Sequence, residues 1–462
     1  MAEEHESSSA GTRLSRRELL RRAGAGAAAA GVFGAGAPYA FAGPLRYRHK
    51  QLKGDLRILQ WAHFVPAYDT WFDNTWTKQW GQKNDVDVHV DHINNALLFS
   101  TGSSEVAAQS GHDLFQFLSP PSSFQKQVIP VDDLVQEVSK KLGPYMDIAV
   151  KSTYNPKTKK YFAVSDSYVP DPVVWRKDFW NGVGEAPYTW DHVRKAAPKL
   201  KAIGHPIGIG QSSNDLDSNM ALSAFLMCFG SFLQHDNNRP WLDTKKTVAA
   251  VKFMTEIYKT GEDPAIFSWN PASNNQDLLA GHASLILNAI SATRTPEDTN
   301  LPFSDQLMIW PIPIGPNGRL GLEHLMGCWS IWKFAQNKAN AQQFMVDLLM
   351  ASKTATIQSK LYNFPTFQNA FPFPGIRKMA AQDPHKPHGK YTVLTTIAQK
   401  YTHNIGYPGT VNAAVDEVLT TSLIPQMFAQ VSQGKLSAED SVRQTKAQVN
   451  SIFAKWKARG KI

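Results

Sequence analysis

The chain has 462 residues, with 48 Lys and Arg against 39 Asp and Glu and a formal net charge of +9, a length that suits two domains better than one. Its basic residues are scattered apart from 157–160 (KTKK) and 455–461, and neither run carries the interleaved aromatics of a single-strand binder, so nucleic acid is not expected as a partner. Only two cysteines are present, Cys228 and Cys328, each inside an apolar run, which argues for buried free thiols rather than a disulfide scaffold.

The first 42 residues read as targeting rather than fold. Ser15-Arg16-Arg17-Glu18-Leu19-Leu20-Arg21 is a twin-arginine pattern, an Ala- and Gly-rich run covers 23–37, and Ala40-Phe41-Ala42 puts small residues where a signal peptidase cuts. The run is too short and too rich in glycine to span a bilayer. No cysteine follows it, so a lipid anchor is not expected. The twin-arginine translocase is then a partner during export, and the mature chain is expected to be soluble and periplasmic.

Next, 56–61 (LRILQW) reads as a buried strand. Trp71, Phe72, Trp76 and Trp80 have the spacing of an amphipathic helix over 69–84. Val86–Ile93 alternates as a second strand, 105–109 is helical, and 113–118 is a third strand broken by Pro120-Pro121. A further helix opens at 131–134. This order predicts a largely parallel sheet covered on both faces, with ligands beyond the carboxyl ends of its strands. The loops after Trp61, Ile93 and Phe117 are therefore candidate site segments.

The most informative stretch runs from Tyr161 to Val193, YFAVSDSYVPDPVVWRKDFWNGVGEAPYTWDHV. Two apolar runs, 161–164 and 173–175, flank a polar, Pro-broken joint at 165–172. Thr189 is placed to cap the helix that follows. Such a joint reads as a chain leaving one sheet for another, and can act as a hinge. The order apolar-WRKDFW…G…P-x-TWDH resembles the "YxKDxF…G…P-x-TWDE" crossover of family 1 extracellular solute-binding proteins, the receptors that feed ABC importers.

Farther on, 191–203 is helical, and 206–210 is a strand entering a Gly/Ser/Asn-rich loop. Helices follow at 219–233 and 243–260. The segment NNQDLLAGHASLILN (274–288) resembles the family's "F-x-x-G-x-A-x-M" signature, a helix ending on a glycine that delivers a strand toward the cleft. Strands are expected at 307–313 and 327–334, a helix at 339–351, and a closing helical pair over 412–456 split by Gly434.

The resemblance covers roughly 55–456. It implies an α/β, two-lobed periplasmic-binding-protein-like fold of type II, each lobe a mainly parallel sheet flanked by helices, with the ligand cleft between. The expected organisation is a signal peptide at 1–42, a first lobe of 44–165 plus 320–366, and a second lobe of 168–316 plus 368–462. Hinge crossings are expected near 165–172, 314–322 and 363–370. The implied function is capture of a small solute, most readily a sugar or polyol, by a monomer that delivers it to the membrane permease of an ABC importer. A polyamine or peptide-like solute is the alternative, and an exported glycoside hydrolase a weaker one. No motif pairs two carboxylates at a hydrolase distance, and neither G-x-S-x-G nor H-E-x-x-H is present. In an alternating strand His89 and His92 face opposite sides, a poor chelate, so no metal is expected. No cofactor is expected either.

A sugar offers flat apolar faces and a rim of hydroxyls, met by aromatic platforms and by Asp, Asn and Ser. On that basis the candidate contacts are Trp61 and His63 after the first strand, and Phe117 and Ser119 after the third. Asp166 and Tyr168 are candidates in the joint. Asn288 and Ser291 leave the strand after the GHAS helix toward the cleft, and His324 and Gly327 open the return strand; the resemblance adds Trp269 in the loop before the GHAS helix and matches Phe117 to a position where the family often puts an aromatic contact.

Overall fold

A computed structural model describes residues 52–462. The twin-arginine segment and the cleavage site lie outside the described residues.

The first strand, β1 (Gly54–Trp61), is buried from Ile58 to Trp61. Pro66 starts helix α1 (Pro66–Trp71), which runs through a π-helical turn into Thr77–Asn84 and buries Trp71, Phe72, Trp76 and Trp80. β2 (Val86–Ile93), α2 (Leu98–Ala108), β3 (Leu114–Phe117) and α3 (Asp132–Leu142) follow. The joint resolves into two strands, β4 (Val164–Pro170) and β5 (Val173–Arg176), both fully buried. Next come α4 (Trp190–Ala202), capped by Thr189 as expected, β6 (Ile207–Gly208), α5 (Leu216–Cys228), α6 (Thr244–Gly261), α7 (Ser273–Ala280), β7 (Leu285–Leu287) and α8 (Ser291–Asp298). Then follow β8 (Leu307–Trp310), β9 (Gly321–Ile331), α9 (Lys338–Met350), β10 (Phe364–Pro365), α10 (Phe373–Ala381) and β11 (Thr402–His403). The chain closes with α11 (Ala413–Thr420), α12 (Leu423–Ser432) and α13 (Ala438–Ala458), three helices where a pair was expected.

Two sheets organise these elements. The larger has the order β10-β4-β9-β3-β1-β2, with β11 paired to β9; the smaller is β8-β5-β7-β6. β1 pairs in parallel with β2 and β3, as the βαβ pattern predicts. The strands around them are antiparallel: β9 to β3 and β4, and β5 to β7 and β8. The sheets are thus mixed. β4, β5 and β9 belong to chain crossings and are not held to the parallel sense that a helical crossover imposes.

Each sheet has its own core. The first gathers Ile58, Phe115, Val164, Trp329, Phe344 and Tyr391; the second gathers Val173, Trp190, Phe225, Met254, Leu322 and Phe428. Val169 packs in the first and Val173 in the second, so the chain changes core at 170–172, inside the expected joint. It returns within β9, between Leu322 and Leu325. The third change falls between Ala398 and Ile405, not at 363–370. Residues from Phe371 to Ala398 stay with the first core because Ile376, Tyr391 and Leu394 are buried there. Cys228 and Cys328 are buried and free. His89 reaches Asp87 while His92 reaches Asp73, so the two imidazoles share no carboxylate contact here.

Candidate functional site

The seam between the cores holds a dense group of buried polar side chains. Asp215 caps α5: its carboxylate accepts from the backbone of Asp217 and Ser218 at 3.1 Å each, and from Ser218 Oγ at 2.8 Å. The cap fixes Asp217 in the first helical turn, where the positive end of the helix dipole favours a carboxylate. Asp217 Oδ2 accepts from the amide nitrogens of Asn274 at 2.8 Å and Asn288 at 3.3 Å. Asn288 Nδ2 also reaches Asn274 and Asn275, and Asn275 donates to Ser291 Oγ at 3.2 Å.

His324 closes the group from β9. Its Nδ1 lies 3.2 Å from Asp171 in the joint and its Nε2 lies 3.4 Å from Asp217 Oδ1, and it is 1% exposed. Burial alone would lower its pKa, but Asp217 and Asp171 together outweigh that and hold it up at about 9. Burial raises Asp217, with His324 pulling the other way. The ring is therefore held toward its imidazolium form between Asp171 and Asp217.

The first core presents an aromatic wall to this group. Trp61 and His63 have ring centroids 4.7 Å apart, and Tyr362 stands 4.9 Å from His63. His63 Nδ1 accepts from the backbone of Val65 at 2.9 Å, so Nε2 carries the proton and faces Asn363 Oδ1 at 3.3 Å. Burial pushes the His63 pKa down to about 3, leaving it neutral. The nearby Asp217 and Asp171 charges add to the rise that burial imposes on the Tyr362 phenol. Buried polar atoms without a hydrogen-bond partner among the described residues include the Tyr362 hydroxyl, Asn288 Oδ1, both ends of the Gln211 amide and His324 Nε2, which has only the longer ion-pair contact to Asp217. A buried polar group left unpaired is costly, so groups of this kind mark places where a ligand completes the bonding.

Of the residues expected from sequence, the structure gathers Trp61, His63, Asn288, Ser291 and His324 along this seam. Others lie apart. Phe117 packs among Phe115, Phe124 and Trp332, at centroid distances of 4.6, 5.3 and 6.0 Å, as part of the first core rather than as a platform. Ser119 is half-buried beyond that strand. Asp166 sits over Gly327, whose added Cβ would lie 2.5 Å from Asp166 Oδ1; burial raises Asp166 to about 6. Tyr168 turns away, its hydroxyl donating to Ala398 O at 3.4 Å. Trp269 lies across Gly208 and Gly210 beside the Asp215 cap, 5% exposed. Gln211, Asp217, Asn274, Asn275 and Tyr362 were not anticipated. The cap signal at Asp215 was the available clue, and the helix was expected to begin only at 219. Two surface hollows, of ≈ 440 and ≈ 470 Å³, lie elsewhere, around Tyr188 and along β2.

Two sheets, each with its own core, and a polar, aromatic-walled seam between them give the two-lobed α/β fold of periplasmic binding proteins. The sequence of residues 66–349 matches the family model of bacterial extracellular solute-binding proteins, and the chain belongs to that family. Solved structures of similar fold include a sugar transporter from Arthrobacter chlorophenolicus A6 with bound laminaribiose, at TM-score 0.72 and 19% identity over 86% of this chain and 99% of that one. Maltose-bound MalE3 of T. maritima aligns at TM-score 0.70 and 16% identity, over 86% and 100%. An ABC transporter solute-binding protein from Agrobacterium radiobacter K84 in complex with ribitol aligns at TM-score 0.67 and 14% identity, over 87% and 100%. No curated protein sequence matches significantly. Among the described residues no helix is long and apolar enough to cross a membrane.

Proposed function

We propose that the chain is a receptor that closes on a neutral sugar or polyol outside the cytoplasm and hands it, chemically unchanged, to the permease of an ABC importer. The observation that carries this reading is the set of unpaired buried groups on Tyr362, Asn288 and Gln211, beside the Trp61–His63 wall. Buried hydrogen-bonding groups near flat rings suit the hydroxyls and apolar face of a sugar. The relatives with laminaribiose, maltose and ribitol bound support the same class. The twin-arginine leader supports export in folded form, and a monomer suffices, since both walls of the seam come from one chain. In this reading the lobes are divided near 171, 323 and 400.

A cationic solute would want carboxylates in surplus. Asp215 is used as a helix cap, and the His324 imidazolium offsets one of the remaining two, which favours a neutral guest. Both Asp171 and Asp217 are engaged by His324.

The test is a thermal-shift screen of the purified mature chain against saccharides, polyols, polyamines and amino acids, since a ligand specific for the native state raises the melting temperature. A saccharide or polyol is expected to raise it. A rise with polyamines alone, or turnover of a glycoside, overturns the proposal.

A further inference from the structure

Beyond its first turn, α8 carries a second buried network that faces the opposite lobe. Ala292 on this helix packs with Val174, Ile286 and Leu307 of the second-lobe sheet, whereas Leu361, Tyr362 and Tyr391 belong to the first core. Between them, Arg294 Nη1 lies 2.9 Å from Glu297 Oε2 and 2.8 Å from Asp383 Oδ2. Lys390 Nζ lies 2.6 Å from Glu297 Oε1, and the Tyr391 hydroxyl donates to Glu297 at 2.7 Å. The Arg294 guanidinium also stacks 3.7 Å over the Tyr391 ring. The side chains of Arg294, Glu297 and Lys390 are at most 2% exposed.

Glu297, Asp383 and His385 alone could be read as a cation site, their ligand atoms lying within 4.8 Å of one another. Arg294 and Lys390 already place two positive charges on Glu297, so a divalent ion would meet repulsion there. The network is balanced without one: two cations, two carboxylates.

The same arginine reaches the candidate solute site. Its Nε and Nη2 donate to the Lys360 carbonyl at 3.1 and 2.8 Å. Lys360 and Leu361 hold positive φ angles of 54° and 69°, a conformation that non-glycine residues rarely adopt. That turn delivers Tyr362 and Asn363 to the seam. At the other end of α8, Ser291 and the preceding Asn288 stand in the seam, about 9 Å along the helix axis from Glu297.

We propose that Arg294 and Glu297 on α8, with Asp383, Lys390 and Tyr391 on the first lobe, form an interlobe latch that engages on closure and sets α8 and Tyr362 in register around the solute. This rests on the receptor reading above. Buried ion pairs roughly break even against hydration of the separated charges. A latch built this way registers the closed form sharply without making closure irreversible, as an apolar contact of similar size would. Removing one partner leaves a buried charge uncompensated, which opens the latch.

The test is single-molecule energy transfer on the full mature chain labelled through Ser103→Cys and Lys259→Cys, exposed positions on the first and second lobes; the native cysteines are buried. Dwell times in the closed distance are measured with and without laminaribiose, maltose and ribitol. Lys390→Met is expected to shorten the closed dwell about tenfold or more. The double variant Glu297→Gln with Lys390→Met removes one pair together and leaves no stranded charge; its closed dwell is expected to recover toward the wild-type value. Lys390→Arg, which keeps the charge, is expected to restore it. Unchanged dwell times in all three variants, with only the melting temperature lowered, make the network a structural brace and overturn the latch. A wild-type chain that never moves between two distances overturns the receptor reading and the latch together.

Discussion

Nε2 of His324 stands 3.4 Å from Oδ1 of Asp217, joining a strand shared by both lobes to the first turn of a helix in the second. With Asp171 on its other nitrogen, this imidazolium ties the hinge to the wall of the seam. Around it lie buried polar groups whose bonding is incomplete, Asn288 Oδ1 and the Tyr362 hydroxyl among them.

Asp217→Asn removes the charge that faces His324 and weakens the amide cage around it. Solute affinity is expected to fall tenfold or more, about 1.4 kcal/mol or above. Isothermal titration with the solute found by thermal shift measures this, with circular dichroism to confirm the fold. Unchanged affinity would remove Asp217 from the site.

Stability should fall as the medium becomes alkaline. The folded pKa of His324, about 9, lies above its ordinary value of 6.5. Its contribution is fully present below 6.5 and is lost as pH rises through 9, on the order of 2–3 kcal/mol. Asp217, raised from 3.8 to about 7, has the same sign in a lower window, its contribution being lost as pH rises through 7. Urea melts between pH 6 and 9.5 should show the slope, and His324→Gln should flatten it.

Tyr362→Phe separates binding from folding. The hydroxyl has no partner among the described residues, so its loss should leave the melting temperature unchanged or raise it. Solute affinity should drop about fivefold, near 1 kcal/mol, if the hydroxyl bonds the guest. A large loss of stability would show that the hydroxyl is already satisfied.

Gly327→Ala places a methyl 2.5 Å from Asp166 Oδ1. β9 pairs with β4 at Gly327 and with β3 from Cys328 on, which limits how far it can retreat, so a loss of about 1–3 kcal/mol is expected in chemical denaturation. A neutral effect would mean that Asp166 moves freely.

Trp269→Ala should act on stability first. The indole covers Gly208 and Gly210, and its removal leaves a cavity costing about 3 kcal/mol or more. Weakened solute binding with an unchanged melting temperature would instead make it a contact residue.

Local patterns in the chain carried the outline of this protein. The period of apolar residues in 69–84, the alternation in β2 and the Thr189 cap are short-range features, and each led to the element found there. The Pro-broken joint did not: most of 165–172, expected as an irregular break, is the strand β4, because its side chains are buried and paired with β9. His63, Asn288, Ser291 and His324 were legible as candidates because they lie at or just beyond strand ends, where this architecture exposes side chains to a cleft. Phe117 also ends a strand, but whether an aromatic there faces a ligand or its neighbours depends on Phe124 and Trp332, residues whose proximity no local spacing encodes. The third crossing was misplaced for the same reason: a segment such as 371–398 joins whichever core buries Ile376 and Tyr391. The partnerships of Asp171, Asp217 and His324, and of Arg294, Glu297 and Lys390, span tens of residues of sequence. Only packing the two lobes together decides them, since desolvation and charge pairing act through space and not along the chain.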